Sequence, residues 1–180
     1  MKHTLILKAA DFAAQKHKDQ RRKDKNASPY INHPVAVALL ISDVGLVDDS
    51  DIIAAALLHD TIEDTNTTGE DLEAIFGSRV RGFVEEVSDD TRLYKNERKR
   101  LQIEHAADLS TGATLIKLAD KICNVADIAV APPKGWDVQR RLEYLDWAEA
   151  VINNCSKVNS ALETRFYEEL AKARKTFANE

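Results

Sequence analysis

Glycine and proline are scarce in this chain, 6 and 4 in 180 residues, where average usage is about 7% and 5%. Strict apolar–polar alternation, an Asn-Gly hairpin signal, an internal repeat and a low-complexity linker are also missing, which argues against a β-sheet protein or a solenoid. Cysteine occurs only at Cys123 and Cys155. Two are too few for a disulfide framework, and they match no zinc-ligand spacing. No stretch approaches the ~18 uninterrupted apolar residues of a membrane span, and MKHTLILKAADF turns polar too soon for a secretory signal. Positive charge is not in excess: 25 Lys and Arg face 30 Asp and Glu, a net charge of -5, which argues against nucleic acid as a partner. With 44% apolar and 31% charged residues, the chain is expected to be cytoplasmic. It is also expected to fold as one domain over residues 1–180, burying roughly two-thirds of its surface.

Alanine is abundant, and apolar residues recur at helical spacing, so the fold class is all-α, a helical bundle. The pattern predicts helices over Leu5–Lys18, from His33-Pro34 to Asp43, over Ile52–Asp60, from Thr68 to the stop at Gly77, and over Arg79–Val87. Further helices are predicted over Asn96–Ala107, Ala113–Ile128, Trp136–Asn154 and Val158–Phe177. Pro34 suits a first helical turn, where its missing N–H costs nothing. Asp49, Ser50 and Asp51 are each able to cap the third helix. The acidic stretch after it, Thr61-Ile62-Glu63-Asp64-Thr65, reads as non-helical.

Chemistry concentrates at the end of the Ile52–Leu58 run. A nearly fully apolar helix that finishes on His59-Asp60 places an imidazole and a carboxylate where unpaired polar groups are costly. Adjacent helical residues point about 100° apart, so both reach one ion only if it lies against the helix terminus. A lone His-Asp pair is as readily a capping carboxylate beside a satisfied histidine. His33, ahead of Pro34, and Asp120, at the edge of the stripe Leu115, Leu118, Ala119, Ile122 and Ala126, supply company. Asn124 and Asp127 follow Asp120 at i+4 and i+7 on the same face. Two imidazoles and two carboxylates without sulfur suit an open Mn or Fe site better than a closed structural zinc site. Glu63 and Asp64 read either as a solvated acidic loop or as carboxylates that orient or deprotonate a hydrolytic water. Gln20-Arg21-Arg22-Lys23-Asp24-Lys25 reads either as a solvated basic loop or as the patch an acidic protein needs for an anionic substrate.

Arg22-Lys23, Pro29-Tyr30-Ile31-Asn32-His33-Pro34, Leu57-Leu58-His59-Asp60-Thr61-Ile62-Glu63-Asp64-Thr65 and Lys117-Leu118-Ala119-Asp120-Lys121-x-x-Asn124 together resemble the HD-superfamily hydrolase domain of RelA/SpoT proteins. The chain is most similar to the stand-alone small alarmone hydrolases of the metazoan SpoT homolog type. The similarity runs from about Ala9 through Tyr144-x-x-Trp147.

That resemblance implies an all-α HD fold and one Mn ion, or another divalent metal such as Fe, held by His33, His59, Asp60 and Asp120. It implies that Glu63 and Asp64 serve the hydrolytic water, with Glu63 the first choice as base. It further implies that Arg22 packs on guanine with Lys23 nearby, and that Asn124 and Tyr144 hold the nucleotide. The implied reaction removes pyrophosphate from the 3′ position of guanosine tetra- or pentaphosphate, a small-molecule nucleotide substrate. Two alternatives stay open: removal of the 2′-phosphate of NADPH, and a catalytically silent alarmone-binding module. Asp127 departs from the longer RelA/SpoT enzymes, which tend to carry threonine near that position. Lys95 and Arg98-Lys99-Arg100 read either as contacts to the 5′-phosphates or as an exposed basic helix start. His3, His17 and His105 read as ordinary surface or helix residues, Trp136 and Trp147 as helical packing residues, and Cys123 as a small apolar filler.

Overall fold

The computed structural model describes residues 2–178. Among them, α1 (Lys2–Lys16), α2 (Asn32–Asp43), α3 (Ser50–Leu58), α4 (Thr61–Asp64), α5 (Gly69–Phe76) and α6 (Ser78–Val87) are followed by α7 (Lys95–Glu104), which leads into a 3₁₀ turn over His105–Asp108. The chain then forms α8 (Thr111–Val130), α9 (Val138–Asn154) and α10 (Ser160–Phe177). No β-strand forms among the described residues, and the fold class is all-α. Arg21 and Pro29 make one isolated antiparallel bridge in the loop between α1 and α2.

The short helix α3 is the hub, because every residue from Ile52 to Leu58 is buried. Helices α1, α2, α6 and α8 all pack against it. Each buried Leu or Ile side chain contributes on the order of 1.5–3 kcal/mol of transfer free energy, which holds the helix in place from all sides. Its start is set by Asp49, whose side chain accepts from the Asp51 N–H at 3.0 Å. Arg79 grips Asp49 at 2.6 Å and Asp51 at 2.7 Å from α6. The 20-residue α8 lies across α2, α3 and α6 and carries α10 on its other side.

Several local signals act as the sequence leads one to expect. Thr68 and Asp71 form a reciprocal capping box at the start of α5. Gly77 ends that helix with φ at +89°, a conformation that costs a glycine little. The structure also corrects several expectations: α3 ends at Leu58 rather than Asp60, α7 ends at Glu104 rather than Ala107, and α10 begins at Ser160 rather than Val158. Helix α1 stops at Lys16 rather than Lys18. The acidic stretch is one helical turn, not a loop: the Asp64 N–H donates to the Asp60 carbonyl at 3.0 Å and the Thr65 N–H to the Thr61 carbonyl at 3.2 Å. Trp136 lies outside α9, because Asp137 caps that helix by accepting from the Arg140 N–H at 2.8 Å.

Candidate active site

Three helices meet where α3 ends. Helix α2 delivers His33 from its first turn, α3 delivers His59 and Asp60 at its C-terminus, and α8 delivers Asp120 from its middle. His33 and His59 are buried. His59 Nδ1 lies 2.7 Å from the Ala56 carbonyl oxygen. A carbonyl only accepts, so Nδ1 carries a hydrogen and Nε2 is the nitrogen that faces the site. That Nε2 is 3.1 Å from Asp60 Oδ2 and 3.8 Å from Asp120 Oδ1. His33 Nε2 lies 3.1 Å from Asp120 Oδ1 and 3.8 Å from Asp60 Oδ2. Ligand atoms of His33, His59 and Asp60 all lie within 4.8 Å of one another. His59 Nε2 is buried with no hydrogen-bond partner among the described residues.

A buried imidazole nitrogen facing two carboxylates, with a second imidazole beside it, fits a divalent cation. The electrostatics agree. Burial opposes charge on His59, yet Asp60 and then Asp120 outweigh it and push the imidazole up to about 9. Burial likewise opposes the Asp60 carboxylate, but His59 and His33 hold it well below the usual range. Asp120 is held low against burial by Lys121, His33 and His59. The two carboxylates thus draw positive charge to this spot, a proton on His59 that a divalent cation would replace.

Groups behind the four residues fix their oxygens. The Tyr30 hydroxyl donates to Asp60 Oδ2 at 2.6 Å. Asn124 Nδ2 donates to Asp120 Oδ1 at 2.6 Å, and Lys121 Nζ donates to Asp120 Oδ2 at 3.0 Å. The sequence shows Asn124 on the Asp120 face, but it hides Lys121 and Tyr30. Neighbouring helical residues diverge, so only the long lysine side chain lets Lys121 fold back onto Asp120.

Glu63 and Asp64 face different ways. Asp64 is exposed and accepts from Gln20 Nε2 at 2.8 Å. Glu63 is half-buried, accepts from the Asp89 N–H at 2.7 Å, and has Arg98 Nη1 at 4.0 Å. Burial pushes the Glu63 carboxyl up to about 7, with the Asp89 N–H pulling the other way and the charges of Asp89 and Asp60 adding to the rise.

A cleft of about 780 Å³ opens beside the cluster. His33 and Asp64 line it, together with Arg22, Lys23, Asn124, Asp127, Trp136 and Tyr144. Arg22 donates to Asp127 at 2.6 Å and to Asn124 at 3.4 Å, and its guanidinium carbon lies 5.6 Å from the Tyr30 ring centre. Trp136 and Tyr144 stand 5.9 Å apart, with Arg140 stacked 4.5 Å from Trp136. Trp136 is thus outside the helix, packing against the hydrophobic core and at the same time forming a wall of the cleft. Cys123 also lines it, and burial pushes that thiol up to about 12. Lys95 is exposed at the start of α7, with the charges of Lys23, Arg98 and Arg140 near it. Arg100 is spent on Glu97 and Glu104 along its own helix. Lys99 sits 4.8 Å over Trp147, whose indole N–H donates to the Lys99 carbonyl at 3.0 Å.

The family model for the HD domain matches residues 9–145. The chain belongs to the HD domain family. It is 55% identical, over 88% of its own length and 89% of the relative's, to guanosine-3′,5′-bis(diphosphate) 3′-pyrophosphohydrolase MESH1 of Xenopus tropicalis. Identity to the human protein of that name is 50%, over 88% of each chain. A solved structure, described as a metazoan ortholog of SpoT that hydrolyzes ppGpp and plays a role in starvation responses, superposes with a TM-score of 0.91. It is 45% identical, with 93% of this chain and 94% of that one covered. No helix among the described residues is long and apolar enough to cross a membrane.

Proposed function

We propose that the chain hydrolyses the 3′-pyrophosphate of guanosine tetra- and pentaphosphate, releasing pyrophosphate with GDP or GTP, and that residues 1–180 act in the cytoplasm as one phosphohydrolase domain. The observation that carries this reading is the meeting of His33, His59, Asp60 and Asp120 beside a cleft lined by Arg22 and Lys23. The relatives that share most of its length are 3′-pyrophosphohydrolases of this nucleotide.

In this reading His33, His59, Asp60 and Asp120 hold one divalent cation, Mn in first place and Fe in second. When bound, it supplies positive charge that acidifies water and stabilises negative charge on phosphoryl oxygens. Glu63 accepts the proton of the attacking water, a task that suits a carboxyl poised near 7. Asp64 orients that water from the cleft side. A water oxygen bonds to the phosphorus attached to O3′, the P–O3′ bond breaks, and a proton ends on O3′. Arg22 offers a flat cation to the guanine ring, and Lys23 and Lys95 offer charge to the phosphates. Asn124 and Tyr144 hold the nucleoside.

Product analysis tests the reading. Metal-stripped protein, reloaded with Mn²⁺, is incubated separately with guanosine tetraphosphate, guanosine pentaphosphate and NADPH. Pyrophosphate from the first two is the expected result. Orthophosphate from NADPH with no pyrophosphate from the guanosine nucleotides would overturn the substrate assignment, and tight alarmone binding without turnover would overturn the enzyme.

A further inference from the structure

Beyond the end of α1, His17 is buried while the polar residues around it are not. Its Nδ1 lies 2.6 Å from Gln20 Oε1. Gln20 in turn places Nε2 2.8 Å from Asp64 Oδ2, and Gln20 lines the cleft whereas His17 does not. The other face of the imidazole is covered by Tyr30, ring centres 4.9 Å apart at 34°, and the Tyr30 hydroxyl holds Asp60. His17 Nε2 is buried without a hydrogen-bond partner among the described residues.

The direction of these bonds follows from donor chemistry. An aspartate carboxylate only accepts, so the amide nitrogen of Gln20 must face Asp64 and its oxygen must face His17. The oxygen only accepts, so His17 Nδ1 carries the hydrogen. The chain of donors therefore runs one way, from His17 through Gln20 to Asp64. A buried imidazole with one orphaned nitrogen is a poor choice for packing alone, since an apolar ring would fill the space without that cost. Its single side-chain hydrogen bond among the described residues is the one that orients Gln20. Asp64 needs such help, because it is an exposed side chain at the end of a four-residue helix.

We infer that His17 is a positioning residue for catalysis: it sets the amide of Gln20, which holds Asp64 at the angle from which it serves the attacking water. The inference rests on the reading of Asp64 as a member of the catalytic pair. It also ties both acidic arms of the site to one short loop, since Tyr30 and Gln20 are joined by a backbone hydrogen bond of 3.1 Å.

Steady-state kinetics on guanosine tetraphosphate, with melting curves, test it in the full-length protein. His17→Phe keeps a ring on Tyr30 but removes the donor, and kcat should fall by about 10- to 100-fold with little change in KM. His17→Asn keeps an N–H near the position of Nδ1 and should restore most of kcat. In a double-mutant cycle, His17→Phe should cost nothing further once Gln20→Ala is present. A normal kcat in His17→Phe, an equal loss in both His17 variants, or strict additivity with Gln20→Ala would overturn the inference. Should His17→Phe fail to fold, long-range ¹H–¹⁵N NMR on the wild-type imidazole decides: a hydrogen on Nδ1 supports the relay and a hydrogen on Nε2 alone overturns it. Asp64→Asn separates the two levels. If it is inactive while His17→Phe is normal, only the relay fails. If it is fully active, the assignment of Asp64 fails and the relay goes with it.

Discussion

Tyr30 Oη and Asp60 Oδ2 are 2.6 Å apart, and the hydroxyl is the donor. Burial first, then the charges of Asp60 and Asp64, push the phenol well above its ordinary range, so the donor is never lost at working pH. A hydrogen bond to a metal-holding carboxylate fixes which oxygen is free to bind. Tyr30→Phe should therefore weaken divalent metal binding by about 10- to 100-fold with the fold intact. Calorimetric titration of Mn²⁺ into metal-stripped wild type and variant measures this; unchanged affinity would mean that the bond is only a packing contact.

Glu63 is placed for a pH-dependent role. Its carboxyl must be ionised to accept a proton, and burial holds it up at about 7. Protonation as the pH falls through that value removes the base. In this account log kcat/KM falls with unit slope on the acid side of about pH 7. Glu63→Gln should lower the rate by about 100-fold or more and abolish that limb. A variant that keeps the wild-type profile would assign the limb to another group.

Arg22 is braced by Asp127, Asn124 and Tyr30 at the mouth of the cleft. Arg22→Ala should raise KM for guanosine tetraphosphate by about 10-fold or more with a smaller change in kcat. Arg22→Lys should not rescue it, because an ammonium has no flat face to lay on a base. Equal KM values for wild type and Arg22→Lys would refute the stacking role.

The stability of the α3 hub depends on its cap. Asp49→Ala should cost about 1 kcal/mol in denaturant unfolding, whereas Asp49→Asn keeps most of the cap. Arg79 holds the Asp49 carboxyl down at about 2 in the folded protein, below the unfolded value of about 4. A depressed carboxylate adds stability above the unfolded value and loses it as the pH falls through the folded one. The gap between wild type and Asp49→Asn should accordingly shrink from pH 4 to pH 2, and a constant gap would remove the ion pair from the account.

Much of this was legible in the residue order, and the exceptions share a cause. The run Ile52–Leu58 announces a buried helix, Gly77 announces the stop of α5, and Asn124 announces a polar neighbour for Asp120, because each depends only on spacing along one element. His17 looks like an ordinary residue at the end of a helix. Its burial depends on Tyr30, 13 positions away, folding back over it. Trp136 reads as helical because nothing local reveals that Asp137 takes the cap. Thr61–Asp64 reads as a loop because a single turn is too short to show periodicity. The direction in which Glu63 and Asp64 part company is likewise set by Asp89 and Gln20, from distant segments.

Metal content and turnover, measured on the same samples, test the central claim most directly. Wild-type protein should bind one Mn²⁺ per chain and lose both metal and guanosine tetraphosphate hydrolysis on chelation, recovering both on reloading. His59→Ala and Asp60→Ala should retain neither. Substantial hydrolysis by either variant, or by wild-type protein shown to be free of metal, would contradict it.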